Sequence, residues 1–280
     1  MEEAKPSRTA LRVAMRRAAH QIYDSPLVFE DPLAVPILGK EYAQELRRDS
    51  VSSDQPFSVA MRAFMAARSR YAEDNLRRAV EAGVRQYVLL GAGLDTFAYR
   101  NPWPEVKVFE VDHPATQQWK RELVAKNQIA VPENLTYVAV DFERQTLAER
   151  LTESGFDENA PVFFAWLGVV PYLTLPAFRG TVDYIASQAQ SSGVALDYGL
   201  PRDALPPMER LAVDALAARV KMAAEPFQLF FTPDRIAAEF VAFRDLEDLG
   251  TLEVNARYFQ GRRDKLKWLG SAARLFSAWI

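Results

Sequence analysis

Two glycines one residue apart, Gly91 and Gly93, end the apolar run QYVLLGAG, and Asp112 ends the next one, VKVFEVD. Without a Cβ, a glycine lets the backbone take positive φ and come close to a ligand. A GxG turn at the end of a buried strand, with Ala92 between the glycines, therefore suits a molecule lying against the main chain. Asp112 follows Gly91 by 21 residues, the separation at which an acidic side chain receives both hydroxyls of a bound ribose. The third apolar run, LTYVAVD, ends in Asp141, suited to accept from an adenine amino group, and Phe142 beside it offers a backbone N–H. Three successive strand ends carrying GxG, Asp and Asp describe a nucleoside site. The spacing suits NAD and S-adenosylmethionine alike. A dinucleotide fingerprint, however, requires glycine or alanine three residues after Gly93, where Thr96 stands.

Composition narrows the chemistry further. The 280 residues include no cysteine, which excludes thiolate catalysis, disulfides and sulfur-ligated metals. Two histidines, His20 and His113, are too few for a histidine-based metal cluster, so no metal is expected. The 34 basic and 37 acidic residues leave a net charge of −3, which gives no global field toward nucleic acid or an anionic membrane. The N-terminal MEEAKPSRTALRVAMRR lacks the apolar core of a signal peptide, and no run of about 18 apolar residues occurs. A soluble, cytoplasmic protein is expected.

The elements that must position these residues follow from periodicity. Residues 8–23 put Leu11, Met15, Ala18 and Ile22 on one helical face and Arg8, Arg12 and Arg16 on another. Three prolines break residues 23–39 into turns, and 56–82 read as one long amphipathic helix closed by Gly83. Short apolar runs at 86–90, 106–112, 135–141, 161–167 and 193–199 then alternate with helical stretches, which predicts a parallel sheet buried on both faces. Residues 203–223 form a helix outside this alternation, and RDLEDLG and ARLFSAWI are the closing strands.

VLLGAGLDTFAYR, FEVDHP, VDFE and FFAWLGVVPYLT, preceded by DPLA and ARSRYAED, resemble the leucine carboxyl methyltransferase family, closest to its bacterial branch of S-adenosylmethionine-dependent O-methyltransferases. The likeness spans roughly residues 8–200. It implies an α/β class I methyltransferase (Rossmann-like) fold: a seven-stranded, mostly parallel sheet with helices on both faces, its last strand antiparallel. The implied divisions are an N-terminal helical cap (1–83), a cofactor-binding core (84–200), a helical lid insertion (201–232) and a C-terminal completion of the sheet (233–280). S-adenosylmethionine is the implied cofactor, lined by Gly91, Ala92 and Gly93, with Asp112 at the ribose and Asp141 and Phe142 at the adenine; His113, between Asp112 and Pro114, either touches the cofactor or caps the next helix. Trp166 and Leu167 follow on the fourth strand, and Arg68 matches the arginine that binds the methionine carboxylate. Read without the resemblance, Arg68 is one more charge beside Arg70, Arg77 and Arg78. Leu167 stands where the family usually carries a glutamate, so that polar contact is missing.

Methyl transfer from a sulfonium is an in-line displacement that needs alignment and exclusion of water more than a strong acid or base. The expected partner is a hydrophobic small-molecule acceptor, bearing a carboxylate, which needs no base, or a hydroxyl, which does. No catalytic residue stands out; His20, Tyr23, Tyr172 and Tyr198 are the candidates. A non-catalytic cofactor-binding protein and a nicotinamide-dependent oxidoreductase are the alternatives.

Overall fold

Ser7 starts the first helix: its hydroxyl accepts from the Ala10 N–H at 3.1 Å and caps α1, Arg8–Tyr23. The computed structural model describes residues 7–48, 54–141, 145–222, 226–264 and 266–280. Helix α2 is Gly39–Arg48, and α3, Pro56–Glu81, opens on a proline at its first turn. The alternation follows: β1 Gln86–Leu90, β2 Lys107–Asp112, α4 Pro114–Lys126, β3 Leu135–Ala139, α5 Leu147–Glu153, β4 Val162–Trp166, α6 Leu175–Ala186 and β5 Gly193–Gly199. Helices α7, Pro207–Lys221, and α8, Pro233–Glu239, precede β6, Arg244–Leu249; α9, Thr251–Tyr258, and β7, Ala273–Trp279, close the chain.

The seven strands are ordered β3-β2-β1-β4-β5-β7-β6, parallel from β3 through β5, with β7 antiparallel to both of its neighbours. This is the class I methyltransferase arrangement that the resemblance implies. Strands β1 and β4 are buried at every position, as continuous apolar runs require between two helical layers. On one face Ala72, Leu76 and Ala79 of α3 meet Tyr87, Val108 and Phe163; on the other, Leu151 of α5, Phe178 and Ile185 of α6 and Ile236 of α8 meet Phe164, Val194 and Phe276. The outer strand β6 is mostly charged and exposed over its first half, carries a bulge between Arg244 and Glu247, and puts Asp245 at φ +48°, features that discourage edge pairing. The third strand ends at Ala139, two residues short of expectation: the Val140 N–H still donates to the Asp112 carbonyl of β2, but the next N–H, of Asp141, turns to Gln145 Oε1 and the chain leaves the ladder. Among the described residues no helix is long and apolar enough to cross a membrane.

Two buried polar links tie the helical layers to the sheet. Tyr71, one turn after Arg68 on α3, donates to Ser277 Oγ of β7 at 2.8 Å. Glu110 of β2 and Lys120 of α4, both 1% exposed, form an ion pair at 2.7 Å, with the ammonium 5.4 Å from the Tyr99 ring centroid. Burial pushes the Glu110 carboxyl up to about 7, even with Lys120 drawing it down.

Tyr71→Phe, which strands a buried Ser277 hydroxyl, is expected to lower the unfolding free energy by about 1–2 kcal/mol, measured by urea denaturation; a change within error would mean that the link holds nothing. Glu110 gives a pH signature. Its folded pKa lies above the unfolded value, so the native state binds the extra proton, and its stabilising contribution is lost as pH rises from about 4.5 toward 7. Urea midpoints at pH 5 and 7.5 should show this downward component in the wild type and its loss in Glu110→Gln; identical pH slopes would contradict the assignment.

Candidate active site

A cavity of about 820 Å³ opens over the carboxyl ends of β1, β2 and β4. Its floor is the turn after β1. The Gly91 and Ala92 N–H groups both donate to the Val111 carbonyl, at 2.9 and 3.0 Å, and the Gly93 N–H donates to Asp112 Oδ2 at 2.5 Å. Gly91 and Gly93 lie at φ +67° and +49°. A Cβ on Gly91 would stand 2.4 Å from Val169 Cγ2, and one on Gly93 would stand 3.2 Å from Ala10 Cβ. The glycines are thus required twice, by backbone conformation and by the close approach of the β4 loop and α1. Asp112 also accepts from the His113 N–H at 2.7 Å; burial raises its carboxyl, and these two N–H donors draw it back down.

Arg68 comes from the middle of α3, which lies across the sheet and brings it to the cavity wall beside Gly168. It is 6% exposed, unlike Arg70, which pairs with Asp74 on the outer face of the helix. The Arg68 guanidinium rests 5.7 Å from the Phe64 ring centroid and donates to Asp197 Oδ2 of β5 at 3.2 Å. The other Asp197 oxygen receives the Gly168 N–H at 2.5 Å. Leu167 lines the cavity, whereas Trp166 is buried and stacks on Phe178 at 5.3 Å, with only part of it reaching the wall.

The roof is α1, through Ala10, Val13, Ala14 and Arg17. Arg17 is buried and donates to Asp31, to Asp95 at 3.2 Å and to Thr96 Oγ1 at 2.8 Å. Arg100 adds a contact to Asp31 at 3.3 Å and a two-point pair to Glu73 of α3. Burial alone would lower the Arg17 guanidinium; Asp95 and Asp31 raise it above its ordinary value, and the two arginines hold Asp95 below the usual carboxylate range despite its burial. The DPLA and GAGLDT segments therefore meet at one ion-pair network. Sequence reasoning did not pair them, and it left out Arg17, which directly follows the half-buried Arg16.

The proposed catalytic side chains separate. Tyr172 lines the cavity, its ring 5.2 Å from Phe227. His20 lies outside the lining, fully buried, with Nδ1 at 2.8 Å from Asp24 and Nε2 accepting the Val28 and Phe29 N–H groups at 3.1 and 3.3 Å. Tyr23 donates to the Leu46 carbonyl, and Tyr198, buried near the end of β5, donates to Asp248 at 2.8 Å. His113 lines the cavity while its Nδ1 caps α4, accepting from Ala115 N–H at 3.2 Å. Asp141 is half-buried after β3, its N–H on Gln145 Oε1 at 3.1 Å, and is not part of the described lining; Phe142 lies outside the described residues. That side of the cavity is built by Thr146, Leu147 and Ala148 at the start of α5 and by Ala177, Thr181 and Tyr184 of α6. The TLAE capping box was the available signal for the first group: Thr146 and Glu149 cap the helix reciprocally.

The sequence model of the leucine carboxyl methyltransferase family matches residues 10–186. YktD of Bacillus subtilis (strain 168), provisionally named an S-adenosyl-L-methionine-dependent methyltransferase, is 31% identical over 294 residues and the match covers 95% of each chain. A Mycolicibacterium smegmatis protein with the same provisional name is 34% identical over 224 residues, 76% of this chain and 71% of that one. Among solved structures, a provisionally named methyltransferase of Thermobifida fusca YX superposes with a TM-score of 0.60 at 17% identity, covering 99% of this chain and 96% of that one. A DUF574 family protein of Streptomyces avermitilis gives 0.54 at 23% identity, over 87% and 94%. At such identities the structures speak for the fold; the family match and YktD speak for descent. The chain belongs to the leucine carboxyl methyltransferase family.

Proposed function

We propose that this protein is an S-adenosylmethionine-dependent methyltransferase that methylates the carboxylate of a hydrophobic small molecule by in-line displacement. The observation that carries the reading is one cavity lined at once by Arg68, the Gly91–Gly93 turn and Asp112, brought from three separate elements. The names of YktD and its relatives support it. When bound, S-adenosylmethionine supplies a methyl group activated on a sulfonium. The chain's own residues then have separate tasks. Arg68 meets the amino-acid carboxylate, a role its forked donors suit. Asp112 keeps acceptor capacity for ribose hydroxyls beyond its two N–H bonds. The start of α5 and the nearby Asp141 flank the adenine. Residues up to 83 act as the cap that excludes water, 84–200 as the cofactor-binding core, 201–232 as the lid beside the mouth and 233–280 as the completion of the sheet.

The carboxylate is favoured over a hydroxyl acceptor by the state of the acids and bases around the cavity. The accepting nitrogen of His113 already holds a backbone N–H, Asp95 holds Arg17 and the Phe97 N–H, and Asp112 holds the glycine turn. Burial pushes the Tyr184 phenol up to about 12, too high to accept a proton near neutrality as phenolate. A carboxylate arrives already ionised. The apolar lining of Val13, Leu94, Leu147, Leu167, Val169 and Leu173 suits a hydrophobic body on that acceptor.

Titration calorimetry with S-adenosylhomocysteine in the presence of EDTA should show one-to-one binding and no binding of NADH. Arg68→Ala and Asp112→Ala should each weaken it by about 1.5–3 kcal/mol, Arg70→Ala should not, and Arg68→Lys should recover part of the loss. Equal effects at 68 and 70, or binding that requires a divalent metal, would overturn the assignment. Methyl transfer to a panel of carboxylates and phenols then separates the acceptor classes; transfer to phenols alone would exclude the carboxylate reading.

A further inference from the structure

An acid in the middle of an apolar strand needs a reason. Asp197, in VALDYG of β5, is 5% exposed, and burying a carboxylate there is costly unless it is paired and hydrogen-bonded. Its two oxygens go to Arg68 at 3.2 Å and to the Gly168 N–H at 2.5 Å. Gly168, at φ +70°, presses its Cα against the guanidinium so closely that a Cβ would stand 2.9 Å from Nη1. Both partners of Asp197 line the cavity, while Asp197 itself stands one hydrogen bond behind the wall. Residue 167, next to Gly168, is a leucine and offers no charge.

We propose that Asp197 is a specificity-determining residue that makes this end of the cavity a receptor for a zwitterion instead of a simple anion. The inference rests on the cofactor reading above and adds how the amino-acid tail is chosen. Arg68 and Asp197 together carry no net charge. A ligand carboxylate that reaches Arg68 meets a cation already partly neutralised and, in the same low-dielectric wall, a like charge at Asp197. An ammonium on the adjacent carbon offsets that repulsion, because it is drawn to the same aspartate. With Leu167 supplying no acid, β5 supplies it. Asp197 acts through Arg68 and Gly168, by holding the guanidinium in place and by its charge.

The test uses calorimetry with three probes: S-adenosylhomocysteine, its deamino analogue, which keeps the carboxylate without the ammonium, and 5′-methylthioadenosine, which lacks both. The wild type should prefer S-adenosylhomocysteine over the deamino analogue, and Asp197→Asn should shrink that preference by about tenfold, the effect of one charge interaction of ordinary size. Affinity for methylthioadenosine should stay unchanged, and Asp197→Glu should keep the preference. An unchanged ratio in Asp197→Asn, or equal loss for all three probes, would overturn the proposal. The wild type alone also decides: a ratio near one refutes the role of Asp197 and leaves the cofactor reading standing, even if the asparagine variant does not fold. A wild type that binds none of the three overturns both.

Discussion

The cavity exists because a buried guanidinium ties the N-terminal helix to the end of the first strand. Arg17 reaches Asp31 in the turn after α1 and both Asp95 and Thr96 in the turn after β1, and Arg100 extends the network to Glu73 on α3. None of these N-terminal elements takes part in the sheet. Apolar packing of Ala14, Ala18, Ile37 and Leu94 gives them adhesion, but apolar contact has little direction. The ion pairs supply the direction: they fix α1 over the glycine turn so closely that a Cβ on Gly93 would stand 3.2 Å from Ala10 Cβ. Removing one partner would leave the others charged and buried, a cost of about 3–5 kcal/mol, so the roof and the floor stand or fall together.

A second layer of charge follows the same logic on the far wall. Arg68 and Asp197 are both nearly excluded from solvent, and their pairing holds a cation at the cavity surface with its orientation already set. Between roof and wall, the Asp112 carboxylate ties the glycine turn to the next strand through Gly93. The three polar anchors come from elements far apart in sequence, and the sheet order 3-2-1-4-5 brings their ends side by side. A rigid frame of this kind suits a reaction whose barrier falls mainly through alignment and exclusion of water.

The sheet was legible in the sequence because strands buried on both faces must be apolar throughout, so QYVLL and PVFFAWL carry their own signature. The long helix was legible from its period and from Gly83, and Arg68 entered through resemblance alone, since the surrounding charges give no hint of which face is buried. Arg17 was not legible: it directly follows Arg16 of the polar face, and its partners Asp31 and Asp95 lie in turns whose meeting depends on tertiary packing. Asp197 had a signal, an acid within a buried run, which implies a partner without saying which. The histidines show the reverse case. Chemistry-bearing residues drew attention, yet His20 spends its ring nitrogens on Asp24 and the 28–29 backbone, and His113 spends one on a helix cap. The side chains of α6 that line the cavity were hidden because α6 reads as an ordinary crossover helix, and which of its residues face the α5 side follows only from the sheet.

The most direct measurement is a crystal structure of the protein with S-adenosylhomocysteine. The ligand should lie along the carboxyl ends of β4, β1 and β2, its carboxylate in hydrogen-bond reach of the Arg68 guanidinium and its ribose hydroxyls on Asp112, with the Arg68–Asp197 pair retained. A ligand bound elsewhere, or one in this cavity with its amino-acid tail turned away from Arg68, would contradict this placement.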